Sequence, residues 1–101
     1  MYRGTTPTLK FTLPFAASTL DEIWITLGQL GKEVLTKTKT SCTIDGKTVS
    51  VTLTQEDTLK LTAYRNEPTL IQIRIKTNDG NALASKVFTV PTENILKDGV
   101  I

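Results

Sequence analysis

The chain has 101 residues, 39% hydrophobic and 22% charged, with a formal net charge of +2; this is the size of one domain with a modest core. It has no histidine and one cysteine, Cys42, so it lacks the usual acid–base group near neutral pH, a cluster of soft metal ligands and any internal disulfide. Twelve basic residues against ten acidic ones, scattered along the chain, do not make the one-sided basic surface of a nucleic-acid binder.

Period-two alternation dominates the order of residues. Leu9, Phe11, Leu13 and Phe15 alternate with Lys10, Thr12 and Pro14, which predicts a first strand with one apolar face. Pro7 and Pro14 bracket it and mark an edge position. Thr19 and Glu22 have capping-box spacing, so residues 18–22 are expected to form a single helical turn. Ile23, Ile25 and Leu27 then give the inward face of a second strand, with Trp24 and Thr26 outward. Gly28 and Gly31 frame a turn into a third strand over 33–38.

Asp45-Gly46 lies between two β-prone segments and predicts a hairpin. In the strand that follows, Val49, Val51 and Leu53 point one way and Thr48, Ser50 and Thr52 the other. Thr54 with Asp57 predicts a second capped turn, of the kind that carries a chain from one sheet to another. After Pro68, Ile71, Ile73 and Ile75 face inward from a strand over 70–76, and residues 78–81 form another hairpin turn. The return strand, 82–90, does not hold one parity, and a β-bulge near Ala84-Ser85 would restore the register. Pro91 ends it, and 95–101 is a short apolar tail.

About seven short strands, one or two single-turn helices and no long helix predict an all-β domain over 1–101. The expected architecture is an antiparallel β-sandwich of immunoglobulin-like type, with a compact barrel as the alternative. The expected core comprises Phe11, Leu13, Ile25, Leu27, Val49, Val51, Leu53, Leu61, Ile73 and Ile75. The nineteen threonines fall on the polar sides of the strands, where a β-branched residue fits a half-solvated sheet.

Few residues offer chemistry. Asp21-Glu22 and Glu56-Asp57, the adjacent carboxylates, sit where helix capping explains them. Cys42 has no histidine to activate it and is expected to be a structural thiol. No nucleophile elbow or phosphate-binding glycine loop is present. The expectation is therefore a protein that is not an enzyme and takes no cofactor or metal. Lys37 and Lys39, near Lys32 and Lys47, read as a solvated edge that resists pairing. No apolar run reaches the ~18 residues of a membrane span, and 1–7 has no secretory apolar stretch. This predicts synthesis as a soluble cytoplasmic protein without membrane insertion.

The candidate interface residues are Tyr2, Trp24, Ile95, Leu96, Val100 and Ile101. Trp24 has the parity opposite to the inward face, so it is either covered by a loop or free to stack on a sugar or anchor a partner. Val100 and Ile101 either add a last strand to this domain or dock on a neighbour by strand addition.

Three stretches carry a resemblance: Met1-Tyr2-Arg3-Gly4-Thr5-Thr6-Pro7-Thr8-Leu9, Val51-Thr52-Leu53-Thr54-Gln55-Glu56-Asp57-Thr58-Leu59, and Ala82-Leu83-Ala84-Ser85 with Ile95-Leu96-Lys97-Asp98-Gly99. From end to end the chain resembles a family of small proteins encoded among the tail genes of phages and prophages of gut Firmicutes. It is also similar to the N-terminal domain of phage baseplate upper proteins. The resemblance implies an immunoglobulin-like domain without catalytic residues, a virion structural protein of the tail or baseplate. Its implied partners are tail or baseplate proteins and copies of itself, and its place is the virion. A carbohydrate- or host-surface-binding module built on Trp24 is the alternative.

Overall fold

A computed structural model describes all 101 residues. Eight strands form two antiparallel sheets: β1 (Thr8–Thr12), β5 (Thr48–Thr52) and β4 (Thr43–Asp45) in one, and β3 (Lys32–Thr38), β2 (Leu20–Gln29) and β6 (Thr69–Thr77) with β7 (Ala82–Ala84) and β8 (Phe88–Val90) in the other. The short helix α1 (Gln55–Leu59) carries the chain from β5 in the first sheet to β6 in the second. A Cα extent of 16 Å in the thinnest direction fits two sheets stacked about 10 Å apart. The chain is a β-sandwich, and no helix is long and apolar enough to cross a membrane.

The strand order gives the immunoglobulin-like connectivity. In the letters of that fold, β1, β5 and β4 are B, E and D, and β3, β2 and β6 are C′, C and F. β7 and β8 together take the place of G. Strand A is reduced to one parallel bridge between Tyr2 and Glu93.

The alternation seen in the sequence becomes the core. Ile23, Ile25, Leu27, Val49, Val51, Leu53, Leu61, Ile71, Ile73 and Ile75 are buried, joined by Ala17, Leu20 and Leu35. Phe11 and Leu13, expected in the core, are only partly buried and pack at its margin, because nothing covers the side of the sandwich on which β1 lies. β1 is an edge strand, as its flanking prolines predict.

The expected helical turn over 18–22 does not form. A single 3₁₀ turn covers Ala17–Thr19, and Leu20 already begins β2. Pairing to β6 explains the difference: Leu20 lies opposite Thr77 and Glu22 opposite Lys76, so Asp21 is an extra residue in a bulge. Glu22 accepts from the Ile23 N–H instead of capping a helix. The second capped turn forms as expected. The Thr54 hydroxyl accepts from the Asp57 N–H and the Asp57 carboxylate accepts from the Thr54 N–H.

Turn chemistry sets the remaining registers. Gln29 pairs with Lys32, which leaves Leu30 and Gly31 as a two-residue turn with φ of 55° and 71°, the backbone of a primed hairpin turn. Leucine gives no turn signal, so the sequence marked this bend only through its glycines. The irregular return strand carries the bulge its broken parity implied. Ile75 lies opposite Leu83 and Ile71 opposite Phe88, so four steps along β6 span five along the return strand. The extra residue separates β7 from β8, giving eight strands where seven were expected.

Candidate protein-interaction site

Among the sequence-predicted interface residues, the two termini lie together. The Arg3 guanidinium holds them. Its Nε donates to Leu61 O at 2.6 Å and its Nη2 to Leu59 O at 3.0 Å. Nη1 reaches Asn94 Oδ1 and Asp98 Oδ1, each at 2.8 Å, and Nη2 also reaches Asp98 Oδ2 at 3.1 Å. The hydrogen bond from Arg3 keeps the Asp98 carboxyl below the usual carboxylate range.

The backbone of Ile101 exchanges two hydrogen bonds with the Gln55 side chain. Ile95 packs where Gly4 stands: a Cβ at Gly4 would lie 2.9 Å from Ile95 Cδ1, and Gly4 also has a φ of +72°. The tail thus forms no strand and is fastened to its own chain, a third outcome beside the two expected. Its side chains stay outside: Leu96, Val100 and Ile101 are exposed, as is Tyr2. Arg3→Ala is expected to loosen residues 94–101, seen as faster trypsin cleavage after Lys97. Arg3→Lys should not restore the wild-type rate, since an ammonium lacks the forked donors that span Asp98. An unchanged rate in Arg3→Ala would contradict this role.

Trp24 stands apart, on the outward face of β2, 45% exposed. No loop covers it. Arg74, its cross-strand partner on β6, places its guanidinium carbon 5.6 Å from the centroid of the indole ring. One face of the indole is therefore occupied by a cation, and a sugar stacking there would have to displace it.

Lys32 and Lys47 are exposed, but Lys37 and Lys39 do not form the solvated edge expected of them. Lys37 lies opposite Ile25 and so faces inward, where its ammonium meets Asp57 Oδ2 at 2.8 Å. Lys39 donates to Leu20 O at 2.6 Å. Cys42 is half-buried with Sγ 3.4 Å from Thr38 O. Burial, and secondarily the charge of Glu22, push its thiol pKa up, so it stays protonated and unreactive. These contacts, with the 3₁₀ link at Lys39–Ser41, close the sandwich on the β3–β4 side.

The opposite side is open. Between the free edge of β1 and that of β7–β8 runs an apolar cleft of about 490 Å³. Phe11, Leu13 and Phe15 form one wall, Leu83 and Phe88 the other, and Ile73 lies at its floor. Phe11 and Phe88 meet across it with ring centroids 6.4 Å apart. The sequence signals for this cleft were the two prolines around β1 and the lost parity of the return strand. Neither shows that the two irregular edges face each other. Comparison with family models, curated proteins and solved structures finds no match for this chain.

Proposed function

We propose that this chain is a non-enzymatic structural protein of a phage or prophage particle, a tail or baseplate assembly module acting through protein–protein contacts. The observation that supports it is where the exposed large apolar side chains gather: Leu83 and Phe88 along one open side, and Leu96, Val100 and Ile101 at one end. Grouped apolar exposure of this kind marks surfaces that are covered in an assembly. The resemblance of the three stretches to tail-region proteins supplies the particle. Tail proteins, and copies of this chain beside them, are the partners in this reading. The chain is made in the host cytoplasm and ends in the virion, without binding nucleic acid or entering a membrane.

The glycan-binding alternative rests on Trp24 alone, and the Arg74 guanidinium over its ring weighs against it. Deleting the gene and examining purified particles tests the proposal. Wild-type particles should contain the chain in fixed stoichiometry, and the deletion should yield particles with defective tails. Infectious particles of unchanged composition would overturn it. A quench or shift of Trp24 fluorescence on adding host cell-wall glycans would favour the alternative.

A further inference from the structure

We infer that the cleft between β1 and β7–β8 is an acceptor for an extended β-strand supplied by a second protein, running antiparallel to β1 and parallel to β8. The inference rests on the reading that the chain works through protein contacts, and it names the place and the partner's chemistry.

Backbone groups decide between a strand and a small apolar ligand. Leu13 N–H donates to Lys47 O, and Pro7 O accepts from Leu53 N–H. In an antiparallel pair the bonded residues alternate, so the N–H and C=O of Thr8, Lys10 and Thr12 point to the free edge of β1. On the far side, Ser85 N–H donates to Ile73 O and Thr77 N–H to Asn81 O. By the same alternation, the peptide groups of Ala82 and Ala84 point away from β6. The cleft is thus apolar within and rimmed by unpaired peptide groups on both sides. A small apolar molecule would fill the first and leave the second unmet; a strand with apolar residues at alternate positions satisfies both.

A parallel ladder already begins at the lower end. Arg3 N–H donates to Glu93 O, and Glu93 N–H to Met1 O, with Tyr2 opposite Glu93 in a parallel bridge. A strand continuing this ladder beyond Met1 would pass alongside β8 and then β7, through the cleft. Charge narrows the partner further. Lys10 lines the cleft, Lys86 sits over the Phe88 ring on the other wall, and no carboxylate lines it, so the strand carries acidic residues on its outward face. The chain's own tail does not qualify, because Arg3 and Gln55 already hold it.

The test titrates a synthetic peptide of about seven residues, valine alternating with threonine and glutamate, into the ¹⁵N-labelled full-length chain. Saturable shifts are expected at the amides of Thr8, Lys10, Thr12 and Ala84. N-methylation of the peptide's alternate amides should weaken binding by at least ~tenfold, since it removes the ladder and keeps the apolar side chains. Leu83→Asp should cause a loss of the same order; thermal melting checks its fold, and the N-methyl comparison leaves the protein untouched.

The absence of saturable shifts overturns the inference. Equal binding of the N-methylated peptide makes the cleft a site for small apolar ligands and also overturns it. If the same amides shift with protein concentration alone, the occupant is a second copy, which contradicts a strand from another protein. A chain present in particles whose cleft binds no strand fails this inference only. A chain that binds the strand but is absent from particles fails only the particle reading.

Discussion

Replacing Gln29 with leucine is expected to lower stability by about 2–3 kcal/mol, a fall of roughly 10–20 °C in Tm for a domain of this size. Gln29 continues the inward parity of Ile23, Ile25 and Leu27 and is 4% exposed at the end of β2. Its Nε2 donates to Thr62 O at 2.7 Å, and its Oε1 accepts from Thr62 N–H at 2.8 Å. It also lies 3.4 Å from Thr92 Oγ1, which in turn bonds Thr69 Oγ1 at 2.6 Å. One amide therefore ties β2 to the crossover loop, to β6 and to the segment after β8, and no buried polar side-chain atom is left without a partner. Leucine fits the volume but strands both backbone groups of Thr62. Gln29→Glu should cost more at neutral pH, because a carboxylate would then face the Thr62 carbonyl where the amide donated. Part of that loss should return in mildly acidic solution as the new carboxyl protonates. Thermal melts of the two variants at pH 5 and pH 8 check both statements; a Gln29→Leu protein as stable as wild type would remove Gln29 as the fastener.

Asp57 carries the second large effect, and it makes stability depend on pH. Burial alone would push its carboxyl up, but hydrogen bonds from Lys37 and from Thr54, with the nearby Lys37 charge, outweigh burial and hold it below the usual carboxylate value. A lowered native pKa means that the unfolded chain binds the proton more readily. The contribution of Asp57 is thus fully present above about pH 4, the unfolded value. It is lost as pH falls through the lower native value. Asp57→Asn keeps an acceptor for the helix turn but removes the charge opposite Lys37, and is expected to cost about 2 kcal/mol at pH 7. Asp57→Ala also removes the cap and should cost about 3 kcal/mol. Denaturation from pH 7 to pH 2 should show a shallower decline for Asp57→Asn than for wild type. Parallel curves would show that the titration lies elsewhere, with Asp98 the next carboxylate to test, since Arg3 lowers it too.

How much of this was legible in the sequence follows from the range of each interaction. Strands, hairpins and the Thr54–Asp57 cap depend on residues a few positions apart, and alternation or spacing exposed them. The broken return strand was legible for the same reason, as its parity changes within a few residues. The turn over 18–22 failed because two signals competed. Thr19 and Glu22 offered a local cap, but pairing of Leu20 and Glu22 with β6 satisfies more backbone groups along a ten-residue strand. Lys37 was misplaced on a solvated edge because its counter-charge lies twenty residues along the chain. Gln29 had the right parity for the interior, yet nothing local marks Thr62 as its partner. Of the interface candidates, exposure of Tyr2, Trp24, Leu96, Val100 and Ile101 follows from their positions, while half-burial of Ile95 depends on its close approach to Gly4. The cleft needs β1 and β7–β8 to face each other across two sheets, which is a property of the assembled sandwich.

Which side of this sandwich a partner covers is the decisive question. Cross-linking mass spectrometry of purified particles reads that from the lysines, since Lys10 and Lys86 flank the open cleft while Lys32 and Lys76 lie away from it. Cross-links are expected from Lys10 and Lys86 to one segment of a single other particle protein. Particles lacking the chain, or cross-links running only from Lys32 and Lys76, would contradict this.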